Sequence, residues 1–192
     1  MTGLQSSPCE REGDAIVVFA KPPEPGRVKT RLTDRLSDEQ AARLYSAFLH
    51  DSAEFLGGLQ SPGGGSLDRL LAYAGDPNHA AFDAFRRHDF ELVEQGEGDL
   101  GDRLERVTGL LFDQGVERLV IVGTDSPTLR PRHVAGAFDA LTENDVVIGP
   151  SFDDGYYLIG LDGPYTTVFR RIDWSTRSVL PQTHARCREA GL

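Results

Sequence analysis

Four cations stand close together in Phe19-Ala20-Lys21-Pro22-Pro23-Glu24-Pro25-Gly26-Arg27-Val28-Lys29-Thr30-Arg31-Leu32, with Glu24 as the only carboxylate. Lys21, Arg27, Lys29 and Arg31 at this density suit an anion, above all a phosphate. A guanidinium offers paired N–H donors, and an ammonium offers a point charge. The alternative reading is a solvated basic loop. A second group is acidic. Asp125 stands in Gly123-Thr124-Asp125-Ser126-Pro127, directly after the apolar run Arg118–Val122. A carboxylate at the exit of a buried strand is costly unless it is paired or bound to a metal. Mg²⁺ is commonly held by a carboxylate or two together with substrate phosphates. Asp125 could instead cap its own turn. Asp153 and Asp154 are adjacent carboxylates able to hold a metal or take a proton.

These residues need a scaffold, and the apolar pattern supplies one. Ala15–Phe19 reads as a buried strand, and the prolines after it exclude both helix and central strand. The cations therefore sit in a stiff loop at a strand's carboxyl end, where open α/β sheets bind ligands. Ser37-Asp38-Glu39-Gln40 has the capping-box pattern and opens a helix from Asp38 to about Phe55, with Ala41, Leu44, Phe48, Ser52 and Phe55 at helical spacing. Tyr45 and His50 read as surface or core-edge residues of that helix. Ser61–Ser66 is a glycine-rich turn, and Leu67–Ala74 a second strand. Asp76-Pro77 opens a short helix whose inner side is Ala81, Phe82 and Phe85. Phe90–Val93 is a third strand, Asp99 caps a helix carrying Leu104, Val107 and Leu111, and Arg118–Val122 is a fourth strand. Pro131 opens a helix, Val146–Pro150 and Tyr156–Leu161 are strands, and Thr176 caps a last helix to about Ala190. Alternating strands and helices predict an α/β chain, three layers around a mostly parallel sheet.

The basic loop resembles the opening A-K-x-P-x-x-G-x-V-K-T-R-L of a bacterial family of glycosyltransferase-like proteins, the domain of unknown function numbered 2064. Ala20, Lys21, Pro23, Gly26, Val28, Lys29, Thr30, Arg31 and Leu32 match. Gln95–Arg103 is similar to that family's Q-G-x-G-D-L-G-x-R, Gly123–Pro127 to its G-x-D-x-P, and Asp153–Leu161 to its D-G-G-Y-Y-L-I-G-L. Phe169–Thr176 is similar to F-x-x-I-x-W-S-T, where Trp174 either packs or covers a ligand ring. Asp154 stands where the family has glycine, a position that often takes positive φ.

The resemblance implies a nucleotide-diphospho-sugar transferase (GT-A-like) fold, a mixed sheet with one antiparallel strand. It relates the chain to molybdenum-cofactor nucleotidyltransferases and phospholactate guanylyltransferase. On it, Ala20, Lys21, Pro23, Gly26, Arg27, Lys29 and Arg31 contact a nucleotide's phosphates. Gly98, Asp99 and Leu100 line its base or sugar, and Asp125 and Asp153 hold Mg²⁺ or Mn²⁺. Lys29, Arg31 and Asp153 are the catalytic candidates. The reaction is nucleotidyl transfer from a nucleoside triphosphate to a small phosphorylated acceptor, or glycosyl transfer from a nucleotide sugar. A nucleotide-binding module without turnover is the third reading.

The chain of 192 residues suits one domain, expected over 14–192 after a disordered lead-in over 1–13. Its net charge of −10 argues against nucleic acid and against anionic membranes as partners. The partners expected instead are the nucleotide and a small-molecule acceptor. Cys9 and Cys187 are too few for a metal site, and no apolar run is long enough to span a membrane, so a reduced cytoplasmic protein is expected. The base, the sugar, the acceptor and the oligomeric state are not written in the sequence.

Overall fold

In the computed structural model, residues 11–61 and 64–192 are described. A sheet of six strands runs through it in the order β3-β2-β1-β4-β6-β5. The strands are β1 (Gly13–Ala20), β2 (Leu67–Tyr73), β3 (Glu91–Glu94), β4 (Val116–Gly123), β5 (Val146–Pro150) and β6 (Tyr156–Leu161). β1 pairs in parallel with both β2 and β4, and β2 in parallel with β3. β6 is antiparallel to β4 and to β5, so it alone runs against the others.

Both faces of the sheet are covered, which is why β1 and β4 are apolar without alternation. Ile16, Val18, Val120 and Val122 point to one face, and Ala15, Val17, Leu119 and Ile121 to the other. The first face packs on α1 (Asp38–Gly57), α2 (Asp83–Arg87) and α4 (Pro131–Ala140). The second packs on α3 (Leu100–Asp113), a 3₁₀ turn at Thr166–Phe169 and α5 (Val179–Ala190). The expected three-layer α/β/α arrangement around a mixed sheet is present.

At the amino ends of the strands the charges are structural. Asp14, almost fully buried, accepts two bonds from Arg118 at 2.7 and 2.9 Å and one from Ser61 at 2.8 Å. Buried Arg11 bonds Asp68 at 2.8 Å, Glu91 at 2.6 Å and Gln114 at 2.9 Å. These bonds pin one end of the sheet and leave the loops at the other end to bind. They also correct the lead-in expected over 1–13: Arg11 is buried and Gly13 opens β1, because Arg11 finds carboxylates on two neighbouring strands. Residues 1–10, including Cys9, lie outside the described residues, as do 62–63 of the glycine-rich turn.

Several boundaries differ from the sequence reading. The Ser37–Gln40 capping box forms as expected, but α1 buries Ala42, Tyr45, Leu49, Ala53 and Leu56 more deeply than Leu44, Phe48 and Phe55. Two apolar stripes lie side by side on this helix, and only contact with the sheet selects the one that faces inward. Asp76 does not cap a helix; it accepts from the Asn78 N–H in a turn, and His79 caps the 3₁₀ turn Ala80–Phe82 instead. Thr176 closes a turn, donating to Asp173 and accepting from the Ser178 N–H, so α5 begins only at Val179. No helix among the described residues is long and apolar enough to cross a membrane.

Candidate active site

The loop after β1 is a closed ring. Lys21 donates its Nζ to the Arg27 carbonyl at 2.6 Å, and Gly26, at φ +76°, turns the chain between them. Val28 is buried beneath, anchoring the far side. Arg27 faces solvent and pairs with Glu24 at 2.9 Å, so it lies on the rim. Ala20 ends β1 with its carbonyl bonded to the Ala74 N–H and to Gln95 Nε2, each at 3.1 Å. Ala20, Pro23 and Gly26 shape the loop, and none of the three lines a cavity beside it.

Lys29 takes a left-handed backbone at φ +50°, which directs the chain into the 3₁₀ turn Thr30–Leu32. Its side chain is 13% exposed and forms an ion pair with Asp125. The ammonium lies 4.9 Å from the Tyr45 ring centre and 5.7 Å from that of Phe48. The ends of β1 and β4 therefore meet, as expected, but the premise for Asp125 needs correcting. Its side chain is 73% exposed, so burial does not force a partner on it. The cation comes from Lys29.

Lys21, Lys29, Thr30, Arg31, Tyr45 and Asp125 share the wall of a cavity of about 500 Å³. A second cleft, of about 540 Å³, lies on the α3 and α5 side and includes Asp153, Leu100 and Trp174. Arg31 and Ser175 line both. The Arg31 guanidinium donates to the Ser175 carbonyl at 3.0 Å, tying the basic loop to the Trp174–Thr176 segment. Trp174 packs edge-on against Tyr156, with ring centres 6.4 Å apart, and also walls the cleft.

Asp153 accepts from the Ser151 hydroxyl, and this bond, with the nearby Arg31 charge, holds its carboxyl below the usual range. Asp154 has φ +61°, the conformation anticipated for a glycine position. Gly98 and Asp99 are spent on the helix. Asp99 and Asp102 form a reciprocal capping box on α3, and a Cβ on Gly98 would sit 2.4 Å from Asp102 Oδ2. Neither lines either cavity, whereas Leu100 lines the cleft.

Two residues matter to which the sequence reading gave no role, and one of them, Tyr45, was expected at the surface or core edge. Tyr45 is buried, and its hydroxyl oxygen accepts from the Lys21 N–H at 3.4 Å and from the Thr124 hydroxyl at 3.2 Å. It thereby joins the β1 and β4 loops, and burial pushes its phenol pKa up. Gln95 bonds the carbonyls of Ala20 and Ala72, fixing the ends of β1 and β2. Gln95 opens a recognisable segment, but Tyr45 has no local signal beyond its place on the helix.

Among the described residues no three of His, Cys, Asp and Glu gather as a metal-binding cluster. A phosphate-bridging cation does not need one: a carboxylate plus substrate phosphates and water suffices. Asp125 fits that role. It is exposed, lines the cation-rich cavity and has no hydrogen bond besides the Lys29 pair among the described residues. Asp153 lines the neighbouring cleft.

The fold is that of nucleotide-diphospho-sugar transferases. The chain belongs to the family described as uncharacterized protein conserved in bacteria (DUF2064), whose pattern matches residues 60–176. A solved structure from Desulfovibrio desulfuricans G20, described as a candidate nucleotide-diphospho-sugar transferase, is 34% identical, with TM-score 0.79 over 93% of this chain and 77% of that one. More distant likenesses show the fold alone. The 4-diphosphocytidyl-2C-methyl-D-erythritol synthase of Anaerococcus prevotii DSM 20548 is 12% identical, with TM-score 0.58 over 91% of this chain and 85% of that one. CMP:2-keto-3-deoxy-manno-octonic acid synthetase, solved with CTP, is 14% identical, with TM-score 0.51 over 94% and 87%. Among curated proteins none matches the chain.

Proposed function

We propose that this protein is a metal-assisted transferase that moves a nucleotidyl group from a nucleoside triphosphate to a small phosphorylated acceptor. The observation that carries this reading is the single cavity at the ends of β1 and β4, where Lys21, Lys29 and Arg31 face Asp125. Such transfer asks for positioning and charge rather than covalent help. An acceptor phosphate oxygen bonds to the α-phosphorus, the α–β bridging bond breaks, and pyrophosphate leaves. Lys29 and Arg31 bind the triphosphate and neutralise the departing oxygens. Lys29 is the mobile one, since it must exchange Asp125 for phosphate. Lys21, bonded to the Arg27 carbonyl, keeps the loop in shape. Mg²⁺ or Mn²⁺, held by Asp125 and by Asp153 with substrate phosphates, would screen the negative charge of the phosphates. No base is needed, because the nucleophile is already ionised. That matches a carboxyl at Asp153 held low rather than near neutrality.

Glycosyl transfer is the second reading, favoured by the relative from Desulfovibrio desulfuricans G20. The same loop would then stabilise a leaving nucleoside diphosphate, and Asp153 or Asp154 would act as base. The deciding experiment is a panel of nucleoside triphosphates and nucleotide sugars, each tested for thermal stabilisation with and without Mg²⁺. The best ligand is then assayed for release of pyrophosphate or of nucleoside diphosphate. Stabilisation by triphosphates and pyrophosphate release are expected. Stabilisation by nucleotide sugars alone would transfer the assignment, and binding without any release would leave a nucleotide-binding module.

A further inference from the structure

The second cleft is unlike the phosphate cavity. Its walls are Phe19, Leu104 and Ile121 from β1, α3 and β4, with Trp174 and Val179 opposite. Charge is confined to Arg31, Asp153 and Arg177. Leu100 is left 41% exposed on the same lining, and Phe152, next to Asp153, is fully exposed. With Leu100 on its lining, the cleft opens apolar surface to solvent, which suits an apolar ligand.

We propose that this cleft is the acceptor subsite and that it takes a small phosphate monoester with an apolar, ring-like body. The assignment as acceptor rests on the nucleotidyl-transfer reading; binding to the cleft does not. The aromatic and aliphatic walls take the body, and Tyr156, Tyr157, Ser175 and Thr176 are among the uncharged polar residues on the same lining. The volume, about 540 Å³, is within the range that encloses a drug-sized molecule. The head group meets two guanidinium groups. Arg177 makes no hydrogen bond or ion pair among the described residues, and Arg31 makes only its bond to Ser175. Arg31 also lines the phosphate cavity, so an acceptor phosphate bound to it stands beside the nucleotide's phosphates.

Gly123 provides a clean probe. It follows Ile121 by two residues on β4, so a side chain there points to the same face, into the cleft. A Cβ added at Gly123 meets no atom within 4 Å, and its backbone is not left-handed. Gly123→Ile should therefore fold and fill the cleft.

The test is titration calorimetry on the full chain with 1-naphthyl phosphate, inorganic phosphate and 1-naphthol, and thermal shift with nucleoside triphosphates and Mg²⁺. Naphthyl phosphate should bind at least roughly tenfold more tightly than either fragment, as burial of the ring adds to the head-group bonds. Gly123→Ile should lose about tenfold or more of that affinity and keep its triphosphate affinity within about twofold. Arg177→Ala should weaken naphthyl phosphate and leave naphthol unchanged; it decides the matter alone if the isoleucine variant fails to fold. Equal binding of naphthol and naphthyl phosphate would overturn the anionic head group. Parental binding in both variants would overturn the cleft as the site. Loss of triphosphate rather than naphthyl phosphate in Gly123→Ile would make the cleft a base pocket, overturning this inference and leaving the transferase reading intact. Naphthyl phosphate binding as expected, with no triphosphate bound, would sink the transferase reading and keep the cleft.

Discussion

Replacing Asp125 with Asn should give opposite effects on nucleotide binding with and without Mg²⁺. In the ligand-free protein Asp125 is paired with Lys29. Asp125 is 73% exposed, so the pair is largely screened by solvent and contributes about 0.2–1 kcal/mol. The contacts of the ammonium with the Tyr45 and Phe48 rings, worth about 0.5–1 kcal/mol, survive the substitution. Stability should therefore fall by less than about 1 kcal/mol, a Tm change of no more than about 2–4 °C for a domain of this size. Binding responds more. In EDTA the variant frees Lys29 and removes a carboxylate from beside the triphosphate. A gain of up to about 1 kcal/mol is up to about fivefold in affinity. With Mg²⁺ the parent should tighten and the variant should not. Calorimetry of the best triphosphate in EDTA and in Mg²⁺, for both proteins, measures all four affinities. A variant that keeps the parent's full Mg²⁺-dependent gain would show that Asp125 is not a metal ligand. A fall in the EDTA affinity would show that the pair positions Lys29 rather than competing for it.

Arg31→Ala should weaken triphosphate binding by about tenfold at low salt, the worth of a charge-assisted bond, with the loss shrinking as salt rises. An unphosphorylated nucleoside should bind unchanged; equal losses would refute the charge argument. Tyr45→Phe removes the acceptor shared by the Lys21 N–H and the Thr124 hydroxyl in a buried place, and should cost about 1–3 kcal/mol in denaturant titrations. Asp154→Gly should change stability by less than about 1 kcal/mol in either direction, whereas Asp154→Val should destabilise by about 1–2 kcal/mol, since φ is +61° there. Asp153 has a folded pKa below its unfolded one, so its stabilising effect is full above the unfolded value and is lost as pH falls through the folded value. Turnover should then show no acidic limb from Asp153 above about pH 5. A limb near about pH 6 that disappears in Asp153→Asn would mark it as a general base and favour glycosyl transfer.

The sequence by itself determined the layers and most of the elements. Both faces of the sheet are covered, so the strands had to be apolar throughout, and Ala15–Phe19 and Arg118–Val122 were legible as buried strands. The capping boxes at Ser37 and Asp99 are local chemistry and form where the residues dictate. The basic loop was legible too, since a proline-rich segment cannot continue a strand. Asp154 declared its backbone by standing at a glycine position of the pattern its segment resembles. The tertiary structure decided how these parts are shared out. Four cations in one loop are used differently: Lys21 closes the loop and lines the cavity, Arg27 faces water, and Lys29 and Arg31 line the cavity. Which cation meets Asp125 depends on how the β1 and β4 loops converge, and no local pattern records that. The stripe of α1 that faces inward was chosen by the sheet, and this placed Tyr45 beneath both loops. The apolar cleft is assembled from β1, α3, β4, β6 and the Trp174 segment, far apart in sequence, so it exists only once the chain is folded.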